Sequence, residues 1–140
     1  PDASRGARPE GGVMHWVSLV VLAVLVQYFY FGILVGRARN RAGIAAPATT
    51  GDPVFERTLR VQENTLEQLV IFLPAVGLFA WYVSPGLAAL LGVVFAVGRG
   101  MYAAGYIRDP GERGRGFLVT VAAQGVLVIG AALGVLGELL

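Results

Sequence analysis

The sequence predicts an all-α integral membrane protein, folded as a four-helix up-down bundle. Of its 140 residues, 56% are hydrophobic and only 14% are charged, and the mean hydropathy is +0.67. A soluble domain of this size has too little interior to hide so many apolar side chains. The apolar residues also fall into four long runs, separated by polar, turn-forming segments. Both observations indicate that the chain crosses a bilayer four times.

Each predicted span is long enough for the hydrocarbon core, which about 20 apolar residues cross as a helix. The spans cover about residues 13–36, 55–83, 87–107 and 116–139. The second apolar run, residues 69–83, is too short to span alone, so its helix must begin earlier, near Pro53. Residues 1–12 are polar and are predicted to form a flexible N-terminal tail. Residues 13–140 are predicted to form a single transmembrane domain.

Arginine distribution predicts the orientation. All eleven basic residues are arginine. One interpretation is the codon bias of a GC-rich bacterial genome, which we favour for the set as a whole; the other is functional, because guanidinium groups bind carboxylates bidentately. We expect the protein in a bacterial inner membrane. The loops after the first and third spans carry six of the arginines, and the loop after the second carries none; the six are Arg37, Arg39, Arg41, Arg108, Arg113 and Arg115. Positive charge favours the cytoplasmic side. Loops 1 and 3 are therefore expected in the cytoplasm, with both termini on the opposite side.

Composition also limits the possible partners. The chain has no cysteine and a single histidine, His15, so we expect no disulfide and no metal site built from these residues. A pI near 9.4 can indicate nucleic-acid binding. Here the arginines lie mainly at loops and helix ends between apolar runs, which fits membrane topology better. We therefore expect no nucleic-acid partner.

Polar side chains form a stripe on two of the helices. Helical spacing places Arg57, Arg60, Asn64 and Glu67 on one face of the second helix, and Arg99, Tyr102 and Tyr106 on one face of the third. Charged groups in a membrane are costly, so they face inward and pair. One interpretation is an ion-pair network, with Glu56 bound to Arg60 and Glu67 to Arg99. The other is a site for an anionic ligand, because arginines outnumber acids in this layer.

The same residues resemble a known family. Residues 49–68, TTGDPVFERTLRVQENTLEQ, are similar to the signature of the membrane-associated eicosanoid and glutathione metabolism (MAPEG) family. The third span, Arg113 and the segment Gly36-Arg37-Ala38-Arg39 extend the resemblance, which covers about residues 20–135. Two positions depart from the family pattern. Gln68 replaces an aromatic residue that usually follows the glutamate, and a proline is displaced to Pro74.

The resemblance implies a homotrimer that binds glutathione, as co-substrate, between neighbouring subunits. It assigns glutathione binding to Arg39, Arg60, Gln62, Asn64, Glu67, Tyr102 and Tyr106, with Arg39 and Gln62 supplied by the adjacent subunit. It assigns catalysis to Arg113, whose charge would stabilise the glutathione thiolate. The other partners implied are membrane lipid and a lipophilic electrophile that enters from the bilayer, and no metal is implied.

The implied function is that of a membrane-bound glutathione transferase, with glutathione-dependent peroxidase activity as a second possible reaction. Two alternatives stay open. A non-catalytic, lipid-binding scaffold also occurs in the family, and absent glutathione binding would favour it. A small multidrug exporter has a similar size, but such exporters use a carboxylate in the first span, and this span contains no acid.

Overall fold

The computed structural model of the chain describes residues 11–140, so the predicted tail lies outside the described residues except for its last two positions. Those two residues are helical, because the first helix begins at Gly11. The four long helices are α1 (Gly11–Ala42), α2 (Pro53–Tyr82), α3 (Pro85–Arg108) and α4 (Gly114–Leu139). Each is long and apolar enough to cross a membrane. Within residues 11–140 there is no β-strand, and the predicted all-α membrane fold is confirmed.

Local sequence determines where α2 and α3 begin. Asp52 and Ser84 are the N-cap residues, and each accepts a hydrogen bond from a backbone N–H three residues later, at 2.9 and 3.2 Å. A proline follows each cap at the first helical position, where its missing N–H costs nothing. The early start predicted for α2 is therefore confirmed.

The predicted loop of residues 108–115 is shorter than expected. Residues Pro110–Arg113 form a short 3-10 helix, and α4 begins directly after it at Gly114. Asp109 caps the 3-10 helix, because its Oδ1 accepts a hydrogen bond from the Gly111 N–H at 2.9 Å. This compact connection fixes the position of Arg113 relative to α3.

In the bundle, α2 and α3 each contact both α1 and α4. The larger part of the core is apolar, and at its centre the rings of Phe72 and Phe95 stack with centroids 4.0 Å apart. Two glutamines in the spans each donate a side-chain hydrogen bond to a backbone carbonyl of another helix. Gln27 Nε2 donates to the Ala96 carbonyl, and Gln124 Nε2 to the Gln68 carbonyl, both at 2.8 Å. These bonds link α1 to α3 and α4 to α2.

The helices α3 and α4 approach closely where Gly116 faces Tyr102. A Cβ added at Gly116 would lie 2.6 Å from Tyr102 Cα and 2.7 Å from the Met101 carbonyl carbon. Only a residue without a side chain allows this separation. The close approach positions the beginning of α4 against the half of α3 that carries the predicted site residues.

Candidate functional site

The main candidate site is a cleft of about 560 Å³ at the end of the bundle where α3 meets the 3-10 helix. Its lining comes from α2, α3, the 3-10 helix and α4, and consists of Arg60, Asn64, Tyr102, Tyr106, Arg113, Gly114 and Phe117. Five of the eight predicted site residues are in this list. Two guanidinium groups, one amide and two phenols therefore face one space, a combination suited to an anionic ligand with polar groups.

One wall of the cleft is aromatic. Tyr102 and Tyr106 stack nearly parallel, with ring centroids 5.5 Å apart and an angle of 7° between them. The ring of Phe117, at the start of α4, lies 6.5 Å from that of Tyr102. Tyr102 is buried, with only 4% of its surface exposed, whereas Phe117 is 43% exposed.

Behind this wall lies Arg99, which is completely buried. Its guanidinium carbon lies 4.3 Å from the centroid of the Tyr102 ring, in a cation–π contact. Its Nη2 donates a 2.7 Å hydrogen bond to the Thr65 hydroxyl, which itself donates to the Val61 carbonyl. Arg99 therefore supports Tyr102 from behind and does not line the cleft.

On the α2 side, Arg60 and Glu67 form an ion pair. Arg60 Nη1 lies 3.1 Å from Glu67 Oε1, and Asn64 Nδ2 lies 3.5 Å from the second oxygen of the same carboxylate. The ion pair is about half exposed, so water screens it and a ligand can reach both charges. The buried Oδ1 of Asn64 has no hydrogen-bond partner within residues 11–140. This oxygen has almost no exposed surface, so a ligand N–H can reach it only after the Asn64 amide turns toward the cleft.

Arg113 closes the cleft on the loop side. Its guanidinium carbon lies 5.7 Å from the Tyr106 ring centroid, and its Nη1 donates a long 3.4 Å hydrogen bond to the Pro110 carbonyl. Neither contact neutralises its charge. This positive charge therefore faces the cleft in a position to act on an anionic ligand.

Three of the predicted site residues do not line the cleft in the single chain. Glu67 contacts the lining residues Arg60 and Asn64, whereas Arg39 and Gln62 contact other parts of the chain. Arg39, near the end of α1, donates a 2.7 Å hydrogen bond to the Ala48 carbonyl and lies over the ring of Phe55. Gln62 points toward α1, where its Nε2 lies 3.1 Å from the position of a Cβ at Gly32. A second subunit would have to bring such residues to the cleft of its neighbour.

The two ion pairs predicted for the polar stripe, Glu56 with Arg60 and Glu67 with Arg99, are wrong, because each arginine has other partners. Arg60 pairs with Glu67, and more loosely with Glu63 at 3.8 Å, instead of with Glu56. Arg99 contacts Thr65 and Tyr102 instead of Glu67. The reason is geometric: Arg99 lies behind the tyrosines, whereas the Glu67 side chain extends outward on α2.

Two residues of the site were not predicted from the sequence: Phe117, which lines the cleft, and Thr65, whose hydroxyl accepts a hydrogen bond from Arg99. Phe117 follows Arg113 by four residues and begins the last apolar run, so its position relative to Arg113 could have indicated a shared surface. Nothing in the sequence distinguishes Thr65 from any other hydroxyl that bonds to its own helix.

Within residues 11–140, no group of three or more histidine, cysteine, aspartate or glutamate side chains could hold a metal ion.

The fold and the cleft together define an integral membrane four-helix protein with a cationic and aromatic site at one end of the bundle. The sequence profile of the MAPEG family matches residues 17–133. The chain belongs to the MAPEG family.

Named relatives support this assignment. Human microsomal glutathione S-transferase 2 is 34% identical over 127 residues, which cover 88% of this chain and 86% of the human protein. Bovine leukotriene C4 synthase is 37% identical over 123 residues, which cover 88% of this chain and 81% of the bovine protein. An uncharacterized protein of the cyanobacterium Synechocystis is 46% identical over 124 residues, covering 89% of this chain and 90% of that protein.

Proposed function

We propose that the protein is a membrane-bound glutathione transferase, which activates the thiol of glutathione for attack on a lipophilic electrophile. The observation that carries the proposal is the convergence of Arg60, Asn64, Tyr102, Tyr106 and Arg113 on one cleft. Membership of the MAPEG family, with a relative named as a glutathione transferase, points to the same ligand.

Glutathione matches the charges around the cleft. It carries two carboxylates, one ammonium group, two amides and a thiol. Arg60 can bind a carboxylate through a charge-assisted hydrogen bond, and Glu67 can bind the ammonium group. Once the Asn64 amide turns toward the cleft, its Oδ1 can accept a ligand N–H. In this assignment the ion pair between Arg60 and Glu67 opens, and each charge exchanges its protein partner for a ligand group.

Arg113 is the proposed catalytic residue. A guanidinium near the sulfur stabilises the thiolate and so lowers the pKa of the thiol. The thiol proton leaves to solvent and the thiolate attacks an electrophilic carbon. A carbon–sulfur bond forms while the bond from that carbon to its leaving atom, such as an epoxide oxygen, breaks, and the leaving atom takes the electron pair and is protonated by solvent. A lipophilic electrophile would reach the sulfur past Phe117, the apolar residue of the cleft lining.

The proposal includes a homotrimer with glutathione between neighbouring subunits. Its support is the placement of Arg39 and Gln62 away from the cleft of their own chain, together with the family. In the trimer these two residues would complete the site of the neighbouring subunit.

The test separates catalysis from binding with Arg113→Ala. We expect the ultraviolet absorbance of the bound thiolate to titrate at a higher pH in this variant than in the wild type. Conjugation of a generic lipophilic electrophile should fall by more than glutathione affinity, because the interaction is strongest with charge on sulfur.

Arg41→Ala is the matched control, because Arg41 is an exposed arginine in the last turn of α1, outside the cleft. Its thiolate titration should equal that of the wild type. An unchanged titration in Arg113→Ala would end the catalytic assignment, even if activity fell. Absence of glutathione binding in the wild-type protein would favour the non-catalytic scaffold instead.

A further inference from the structure

A second groove, of about 810 Å³, lies between α3 and the start of α4. It is distinct from the candidate glutathione cleft, because the two share only Gly114 among their lining residues. Arg113, the last residue of the 3-10 helix, lines the cleft, whereas Arg115, in the first turn of α4, lines the groove. The groove is therefore not used by the proposed reaction.

The loop end of the groove is polar and carries net positive charge. Arg108, Arg115 and Glu112 lie there. Arg108 donates from Nε, at 2.8 Å, and from Nη2 to the same oxygen of Glu112. Arg115 has no ion-pair partner within residues 11–140. The Asp109 carboxylate also lies beside this end, because it accepts the hydrogen bond from the Gly111 N–H. The whole connection of residues 108–115 holds three arginines and two carboxylates, which gives it a net charge of +1.

The rest of the groove is apolar and runs toward the interior of the membrane. Ala104 and Met101 precede Arg108 on α3 by one and two turns, and Leu118 follows Arg115 by one turn on α4. A rise of 1.5 Å per residue places Met101 roughly 10 Å deeper than Arg108. Leu118 and Met101 have 69% and 41% of their surfaces exposed. These side chains offer an apolar wall directly below the charged end.

The floor of the groove is backbone at four positions, because Gly105, Gly111, Gly114 and Gly116 line it. A Cβ at Gly114 would meet no atom within 4 Å, so the space above this glycine is open. A headgroup can therefore approach the chain closely between the two arginines.

We propose that this groove binds an anionic phospholipid of the surrounding bilayer. The phosphate lies at the loop end beside Arg115 and Arg108, and an acyl chain follows the wall of Ala104, Met101 and Leu118. A soluble phosphate would leave this wall uncovered, and a zwitterionic lipid would bring its own cation to a site that already has an excess of positive charge. The positive charge of the loop end and the apolar wall below it together favour a lipid with net negative charge.

Two substitutions with opposite expected effects test the proposal. Arg115→Gln removes the uncompensated charge, and Glu112→Gln removes the carboxylate that competes for Arg108. Native mass spectrometry of the full chain in detergent, with added phosphatidylglycerol or phosphatidylcholine of identical acyl chains, measures the lipid retained. Wild-type protein should retain phosphatidylglycerol preferentially. Arg115→Gln should weaken this retention by about fivefold, and Glu112→Gln should strengthen it by about the same factor.

Arg37→Gln, an exposed arginine outside the groove, is the control and should change retention little. An equal loss in this variant would show general attraction to anionic lipid and overturn the proposal. So would equal retention of the two lipids, or displacement of phosphatidylglycerol by soluble glycerol phosphate. A change of oligomeric state in Arg115→Gln, with lipid retention unchanged, would assign the face to a subunit contact instead.

Discussion

Gly116 allows the closest approach between α3 and α4, so replacing it tests how the bundle positions the cleft. In Gly116→Ala, the new Cβ would lie 2.6 Å from Tyr102 Cα and 2.7 Å from the Met101 carbonyl carbon, and closer still to the Tyr102 nitrogen. These neighbours are backbone atoms, which cannot move away by rotating a side chain. Ordinary van der Waals contact begins at 3.4 Å, so relieving the contact with Tyr102 Cα alone takes a movement of roughly 0.8 Å. The nearer Tyr102 nitrogen requires α4 to move outward by more than this.

This movement of α4 should lower the stability of the bundle and change the geometry of the cleft. Overpacking of this kind typically destabilises a protein by about 1–3 kcal/mol. It also displaces the start of α4, where Phe117 contacts the Tyr102 ring. We therefore expect Gly116→Ala to have a melting temperature several degrees lower in detergent. Under the proposed function, the same variant should bind glutathione more weakly by isothermal titration calorimetry.

Gly125→Ala is the matched control in the same helix, because a Cβ at Gly125 meets no atom within 4 Å. Alanine has the higher helix propensity, by up to about 1 kcal/mol in water, so this variant should be as stable as the wild type or more so. Equal stability of Gly116→Ala and Gly125→Ala would refute the argument that backbone contact at Gly116 sets the spacing of α3 and α4.

Three further predictions address the proposed site, the assembly and the topology. Glu67→Gln should weaken glutathione binding by about fivefold, because it removes the proposed ammonium partner and a half-exposed ion pair contributes up to about 1 kcal/mol. Glu63→Gln, whose carboxylate lies 3.8 Å from Arg60, should change binding little. Equal titration isotherms for the two variants would exclude this role for Glu67. Native mass spectrometry from mild detergent should show trimers, and finding only monomers or dimers would contradict a shared site. The chain has no cysteine, so a single-cysteine Ala45→Cys variant can report orientation without background. An impermeant thiol reagent should modify it only from the cytoplasmic side, and modification from outside would reverse the predicted topology.

The sequence alone predicted the number of helices and the residues that share a face. Apolar run length sets the number of helices, because the thickness of the hydrocarbon core fixes how many residues a span needs. The period of the helix sets which residues share a face. The short second run, residues 69–83, indicated that α2 must begin near Pro53, and the Asp52 cap with Pro53 places its start there. Helical spacing likewise placed Tyr102 and Tyr106 on one face, where their rings stack.

Which side chains contact each other across neighbouring helices could be learned only from the tertiary structure. Periodicity gives the face on which a side chain lies, but it does not give the rotation and separation of neighbouring helices. Arg99 shows the difference: its spacing suggested a pair with Glu67, whereas the packing of α2 against α3 buries it between Thr65 and the back of the Tyr102 ring. Glycine at position 116 determines how closely α4 approaches that ring, and this depends on atoms far apart in sequence.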